Sequence, residues 1–128
     1  MGPYGYFREV ALSVDQVLRR LPDLLEKAGF LIRNSMEMSD IFRDKLGLEF
    51  PRYVILNVLH PPGTYKAFIE EETIGLLLPC NMIVYEKDSV TIAGTVRPTV
   101  MMSIAKNDNL RESAGYLESK LKDVIDSL

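Results

Sequence analysis

The chain has 128 residues, of which 47% are hydrophobic and 26% are charged. This composition predicts a folded globular chain and excludes a disordered one. The length predicts one domain over residues 1–128, with a core large enough to fold without metal or disulfide staples. The 18 acidic residues outnumber the 15 basic ones, so the formal charge is −3. We therefore expect neither nucleic acid nor an anionic membrane as a partner.

Rare residue types exclude several kinds of site. The single cysteine, Cys80, excludes an intrachain disulfide and every CxxC pattern, and it favours the reducing cytoplasm. The single histidine, His60, excludes HExxH and other two-histidine metal sites. No apolar run approaches the roughly 20 residues of a membrane span, and the N-terminus has no signal-peptide pattern. Nucleotide-binding and hydrolase motifs are absent from the sequence, so we expect no metal and no cofactor.

The first elements are a strand and an amphipathic helix. Tyr4–Val10 has the length and the apolar content of a strand. Ser13 and Gln16 form a capping box at the start of a helix, and its apolar side chains recur at helical spacing. Pro22 predicts a kink inside this helix, and Gly29 predicts its end. The apolar positions are Val14, Val17, Leu18, Leu21, Leu25 and Ala28.

The central part of the chain predicts two strands and two short helices. Phe30–Arg33 is expected to form the second strand, and a short helix follows over Ser39–Leu46, with its first two residues as the cap. Tyr53–Leu59 is a strong strand candidate. The prolines and glycine of His60–Gly63 end that strand, and a helix is expected over Thr64–Glu71.

The last part of the chain predicts a hairpin and a long helix. Met82–Glu86 and Val90–Val96 are strands separated by a tight turn. Asn109–Glu112 has the spacing of a second capping box. Apolar residues at steps of three and four then predict a long amphipathic helix that ends near Leu128. Gly115 lies in the middle of this helix, which suggests close approach of another backbone.

The element order predicts an α+β fold with a single, mainly antiparallel sheet. A long N-terminal helix and a long C-terminal helix pack on this sheet, and short helices lie in the connections. Both faces of the central strand are apolar: Val54, Leu56 and Val58 point one way, whereas Tyr53 and Ile55 point the other. Two helices packed side by side cover only one face. We therefore expect a homodimer to cover the second face, unless the shorter helices do so.

One segment resembles a known family. Leu76–Glu86 reads LLLPCNMIVYE and resembles the signature region of the domain of unknown function 302 family. Ala28–Phe30, Gly47–Pro51, Tyr53–Leu56 and Arg97–Pro98 extend the resemblance over nearly the whole chain. The resemblance implies a TATA-binding-protein-like topology, β-α-β(4)-α, in a small prokaryotic cytosolic protein that is often dimeric and has no assigned reaction. It does not imply DNA binding, since this chain is acidic and fold does not fix function.

Three residues are candidates for a site. Cys80 follows a proline at a strand start, where a cysteine is either a small buried hydrophobe or, with a lowered pKa, a reactive thiol. His60 ends the neighbouring strand and is a candidate partner of Cys80. Asn81 either satisfies backbone groups or presents an amide to a ligand. Outside this set, Arg97 either pairs with an acidic residue, which we favour, or holds an anion.

Two functions therefore remain open. The first is a homodimeric small-ligand-binding module without a reaction of its own, with a pocket near Pro79–Asn81 and His60–Pro62. The second is a thiol-dependent sulfur-carrier or redox protein that acts through Cys80. A structural dimer without any ligand is a third interpretation.

Overall fold

A computed structural model describes residues 2–128, in which five strands form one antiparallel sheet with the order β1-β5-β4-β3-β2. The predicted α+β class is confirmed. The strands are β1 (Gly5–Val10), β2 (Leu31–Glu37), β3 (Tyr53–Leu59), β4 (Cys80–Lys87) and β5 (Val90–Val96). The helices are α1 (Val14–Lys27), α2 (Met38–Leu46), α3 (Pro61–Glu70), α4 (Pro98–Met102) and α5 (Arg111–Asp126). Short 3-10 turns occupy Ile74–Leu76, Ser103–Ala105 and Asp108–Leu110.

Helix α1 begins and ends as its sequence predicts. The Ser13 hydroxyl accepts a hydrogen bond from the Gln16 backbone N–H at 3.1 Å, and the Gln16 side chain accepts one from the Ser13 N–H at 2.8 Å. At the other end Gly29 has a φ of +87°, a left-handed conformation that glycine adopts at little cost. Pro22 lies inside the helix as predicted. These local signals bring the apolar stripe of α1 onto the sheet.

Helix α3 begins three residues earlier than the prediction of Thr64–Glu71, at Pro61. A proline at the first helical positions removes no hydrogen bond of the helix, because the N–H groups there have no partner within the helix. Its fixed φ also suits a helix. The His60 side chain supplies the cap, because its Nδ1 accepts the Gly63 N–H at 3.0 Å. The prolines that were expected to separate a strand from a helix therefore belong to the helix.

Strand β2 is longer than the predicted Phe30–Arg33 and reaches Glu37. It is an edge strand with a register shift between Ile32 and Asn34, and edge strands accept polar side chains and bulges that central strands exclude. Helix α2 follows at once from Met38, without a side-chain cap. The prediction that Ser39 and Asp40 cap this helix is therefore wrong.

The β4–β5 hairpin forms as predicted, although β4 is longer than Met82–Glu86. It begins at Cys80 and pairs with β3 from its first residue, Cys80 opposite Val58. The turn consists of Asp88 and Ser89, whose φ values of +52° and +65° match a two-residue hairpin turn. The hairpin therefore fixes the register of β4 against β5.

The C-terminal helix differs from its prediction in its first turn. The Asn107 side chain, and not that of Asn109, accepts a backbone hydrogen bond at 3.0 Å, so the capping box predicted at Asn109–Glu112 is wrong. A 3-10 turn precedes the helix, which begins at Arg111. The close approach expected at Gly115 is also wrong, because a Cβ built there meets no atom within 4 Å.

The two long helices cover the same face of the sheet. Helix α1 packs on β2 and β4, α5 packs on β1 and β5, and the helices contact each other. Along β3 every second residue is buried against them: Val54, Leu56 and Val58. The alternate residues, including Tyr53 and Ile55, are only half-buried on the opposite face. We refer to this opposite face as the open face.

Candidate functional site

Cys80 lies in the core between the sheet and the helices. Its side chain is 3% exposed, and burial raises the pKa of the thiol to about 12, with no charged neighbour contributing to the shift. The thiol is therefore protonated at neutral pH, whereas the thiolate is the nucleophilic form. This is the environment of a cysteine that packs as a small apolar residue.

His60 joins β3 to α3 and is 6% exposed. Its ring contacts the edges of Phe30 and Tyr116, with centroid distances of 5.0 and 5.4 Å. Burial lowers the pKa of the imidazole. Because Nδ1 accepts the Gly63 N–H, the neutral ring carries its proton on Nε2. These contacts make His60 a helix cap that also packs against two aromatic side chains.

The three predicted site residues do not converge. No hydrogen bond joins Cys80 to His60 within residues 2–128. Consecutive residues of a strand point to opposite faces, so Cys80 faces the helices while Asn81 faces the open side of the sheet. Cys80, Asn81 and His60 therefore do not form one constellation.

Asn81 belongs instead to a row of three amides on the open face. Asn34, Asn57 and Asn81 are directly paired on strands β2, β3 and β4. The Asn34 side-chain NH₂ donates to the Asn57 carbonyl oxygen at 3.3 Å, and the Asn57 NH₂ donates to that of Asn81 at 2.5 Å. This row satisfies part of the amides' hydrogen-bonding capacity on an exposed surface.

The rest of the open face is largely apolar. One row crosses all five strands in register without a charged side chain: Met36, Ile55, Ile83, Gly94 and Phe7. A second row contains the stacked rings of Tyr53 and Tyr85, whose centroids are 5.1 Å apart. Phe42 and Phe50 continue this aromatic cluster at one corner, from α2 and the loop after it. The short helices therefore cover only a corner of this face.

A cleft of about 720 Å³ lies at the other end of the sheet from Cys80. One wall is the sheet itself, where Val10 and Glu86 both pair with Thr91, and the Glu86 N–H donates to the Arg52 carbonyl at 3.0 Å. The other wall is the segment that enters α1. The lining residues are Glu9, Val10, Ala11, Leu12, Ser13, Val14, Asp15, Arg52, Glu86, Ser89, Val90 and Thr91.

Arg52 holds the two walls of the cleft together. Its guanidinium bonds Glu37 at 2.5 Å and also bonds Asp15 of α1. The hydrogen bonds that Arg52 donates to Glu37 and Asp15 raise the pKa of Arg52 further above its ordinary value, and Arg52 lowers the pKa of Asp15. The charge of Arg52 is therefore already neutralised by two carboxylates.

The sequence contained no motif for this cleft. Arg52 immediately precedes β3, Glu86 lies in β4 and Thr91 in β5, so the three residues meet only through the register of the sheet. The predicted hairpin was the one signal that places Glu86 beside Thr91. Neither Cys80, Asn81 nor His60 lines the cleft, so the sequence candidates and this cavity lie in different parts of the molecule.

The prediction for Arg97 is confirmed, since it pairs with an acidic residue. Its Nε donates to Glu118 at 3.2 Å, and the Thr99 hydroxyl and the Lys122 ammonium bond the same carboxylate at 2.5 and 3.2 Å. Glu118 is 6% exposed. Burial raises the pKa of this carboxyl, but the hydrogen bonds from Thr99, Lys122 and Arg97 outweigh burial and lower it overall. The cluster attaches α4 to α5.

Membrane-spanning helices and metal-binding clusters are both absent from residues 2–128. No helix there has both the length and the apolarity to cross a membrane. No three histidine, cysteine, aspartate or glutamate side chains of this range lie close enough together to hold a metal ion.

The sheet, the two helices on one face and the separate cleft define an α+β protein, and the candidate residues Cys80, Asn81 and His60 form no common site in the part of the chain that the structure describes. The family model described as "Domain of unknown function DUF302" matches residues 6–128. The chain belongs to this family. It is also similar to the crystal structure of an uncharacterized conserved DUF302 protein from Bacillus stearothermophilus, with a TM-score of 0.92, 26% identity and 98% of each chain covered. No curated protein matches the chain.

Proposed function

We propose that this protein is a homodimeric binding module for a small ligand and has no reaction of its own. The cleft of about 720 Å³ carries the binding part of the proposal, because small-molecule sites commonly have volumes of roughly 300–1,000 Å³. Its hydroxyl, carboxylate and guanidinium groups suit the orientation of a polar ligand. Neither Cys80 nor His60, the residues with the most reactive side-chain types, lines it.

Saturation-transfer NMR with a library of small molecules of known charge tests this binding. Ala11→Trp introduces an indole from an exposed position of the cleft wall and should abolish the transfer to bound fragments. Ser119→Trp, at an exposed position of α5 outside the cleft, is the matched control and should leave the transfer unchanged. Equal binding by the two variants, or no binding to the unmodified protein, would contradict a ligand site in the cleft.

The open face supports the homodimeric part of the proposal. With strands about 4.8 Å apart and about 3.3 Å per residue, five strands of seven residues span on the order of 400 Å² in projection. The accessible area of projecting side chains is larger, so two copies approach the roughly 1,200 Å² of a small specific interface. The row of Met36, Ile55, Ile83 and Phe7 contains no charge, so a second copy can cover it without burying an unpaired ion.

Sedimentation velocity tests the dimer. The unmodified protein should sediment as a dimer of the 14.5 kDa chain, and Ile83→Glu should sediment as a monomer, because it places a charge in the apolar row. Leu76→Glu is the control, since Leu76 is 88% exposed in a turn outside the sheet. A monomeric unmodified protein, or a dimer that tolerates Ile83→Glu with native circular dichroism, would contradict this interface.

The thiol-carrier alternative has less support. Cys80 is buried and the pKa of its thiol is raised to about 12, which is opposite to the lowered pKa that thiol transfer requires. Iodoacetamide should therefore label Cys80 only after unfolding in urea. Rapid labelling of the folded protein at pH 7 would favour the thiol function over the binding module.

A further inference from the structure

We infer that the cleft binds a small organic cation that carries one or more ammonium groups. The inference rests on the binding function proposed above and names the chemical class of the ligand. Its basis is two acceptor groups that have no partner among residues 2–128, the carboxylate of Glu86 and the hydroxyl of Thr91, which lie opposite each other on β4 and β5.

The charge of the cleft favours a cation. Two carboxylates line it, those of Asp15 and Glu86, against the single guanidinium of Arg52. Arg52 is already bound by Asp15 within the cleft and by Glu37 behind it, so it offers no free charge to an anion. The carboxylate of Glu86 forms no hydrogen bond or ion pair with any group of residues 2–128. An anionic ligand would meet this uncompensated negative charge.

The hydroxyl of Thr91 is a second observation, independent of charge. Thr91 is 6% exposed, and its hydroxyl has no hydrogen-bond partner among residues 2–128. Buried polar groups nearly always have a partner, and every side-chain N or O atom in this range that is cut off from solvent has one. The Thr91 hydroxyl must therefore keep its contact with the cleft. A bound ammonium group would satisfy it, and Glu86 lies directly across the strand pair.

The spread of the acceptors favours an organic cation over a metal ion. No three histidine, cysteine, aspartate or glutamate side chains within residues 2–128 lie close enough together to hold a metal ion. A bare ion would also leave most of a cleft of about 720 Å³ unfilled. An elongated molecule with an ammonium group can instead contact the Thr91 hydroxyl and the Glu86 carboxylate while its alkyl part lies against Val10.

Three five-carbon probes that differ only in their end groups test the sign of the ligand charge. We would titrate 1,5-diaminopentane, 1,5-pentanediol and glutarate at low ionic strength and follow the amide NMR signals of Thr91 and its neighbours. The diamine should bind at least tenfold more tightly than the diol, a difference of about 1.4 kcal/mol, since hydrogen bonds to charged groups are stronger than neutral ones. Glutarate should not bind.

Two conservative variants locate the contacts. Glu86→Gln, which removes one charge from an exposed side chain, should weaken diamine binding by about tenfold, and Thr91→Val, which removes the hydroxyl at nearly constant volume, by about threefold. Glu112→Gln, an exposed acid on α5 outside the cleft, should leave binding unchanged. Equal weakening by all three variants would show a general charge effect and overturn the site.

The remaining outcomes separate the ligand class from the binding function. If a neutral or anionic fragment occupies the cleft and the diamine does not, the cation is wrong while the binding function stands. If another cationic fragment replaces the diamine, the ligand class is supported. If no compound of any charge occupies the cleft, both the ligand class and the binding function are wrong.

Discussion

Mild acid should destabilise the protein through His60. The folded state uses Nδ1 of the neutral ring as an acceptor, and burial lowers the pKa of the imidazole below its ordinary value of 6.5. Above pH 6.5 the ring is neutral in both the folded and the unfolded chain, so its full contribution to stability is present. Below pH 6.5 the unfolded chain takes up the proton first, and stability falls by at most about 1.4 kcal/mol per pH unit until the folded state is protonated as well.

Urea unfolding at pH 7.5, 6.5 and 5.5 measures this effect without interference from other histidines, since the chain has only one. We expect the unmodified protein to lose up to about 1 kcal/mol between pH 6.5 and 5.5. His60→Asn keeps a capping oxygen but cannot titrate, so it should lose clearly less over this interval. It should be less stable at pH 7.5 by about 1–3 kcal/mol, because it lacks the two aromatic contacts. Equal pH slopes for the two proteins would refute this role of His60.

Three further substitutions test the packing. Glu118→Gln should lower the free energy of unfolding in urea at pH 7 by about 2 kcal/mol, because it removes the charge that Arg97 and Lys122 share. This loss should shrink as the pH falls through the lowered pKa of Glu118. A loss that stays constant with pH would contradict the ion pairs. Gly115→Ala should raise the midpoint of thermal unfolding, with a gain of up to about 1 kcal/mol, because nothing lies near the added methyl group; a destabilised variant would refute the open space. Gly94→Ala should cost about 1–2 kcal/mol, since the new Cβ would lie 2.4 Å from the Phe7 ring; Phe7→Ala in the same chain should remove this cost, and calorimetry of the single and double variants measures it.

The elements with local signals were predictable from the sequence. The capping box of Ser13 and Gln16 acts within four residues of chain, and the bounds of β3 and β5 follow from runs rich in strand-forming residues. Elements that depend on distant partners were not predictable. Asn34 lies in a strand only because β3 pairs with it. Nothing lies within 4 Å of a Cβ built at Gly115, so the choice of glycine there has no packing explanation.

The candidate site was less predictable than the fold, because a site needs side chains from several strands. Strand alternation alone places Cys80 and Asn81 on opposite faces, so part of this result was available from the sequence. The predicted hairpin also places Glu86 near Thr91. The position of Arg52 beside them requires the pairing of β3 with β4, and the position of Asp15 requires the packing of α1 on the sheet. No local pattern encodes either contact.

Strand β4 shows why the most recognisable segment of the chain does not form one site. Cys80 points into the core and contributes to packing, whereas Asn81 points to the open face and joins an amide row. Glu86 lies at the far end of the strand, on the helix side, where it lines the cleft. A single eight-residue strand thus supplies the core, the proposed dimer interface and the proposed ligand site. Substitutions along it should affect stability, assembly and binding separately, because the affected side chains lie in three different environments.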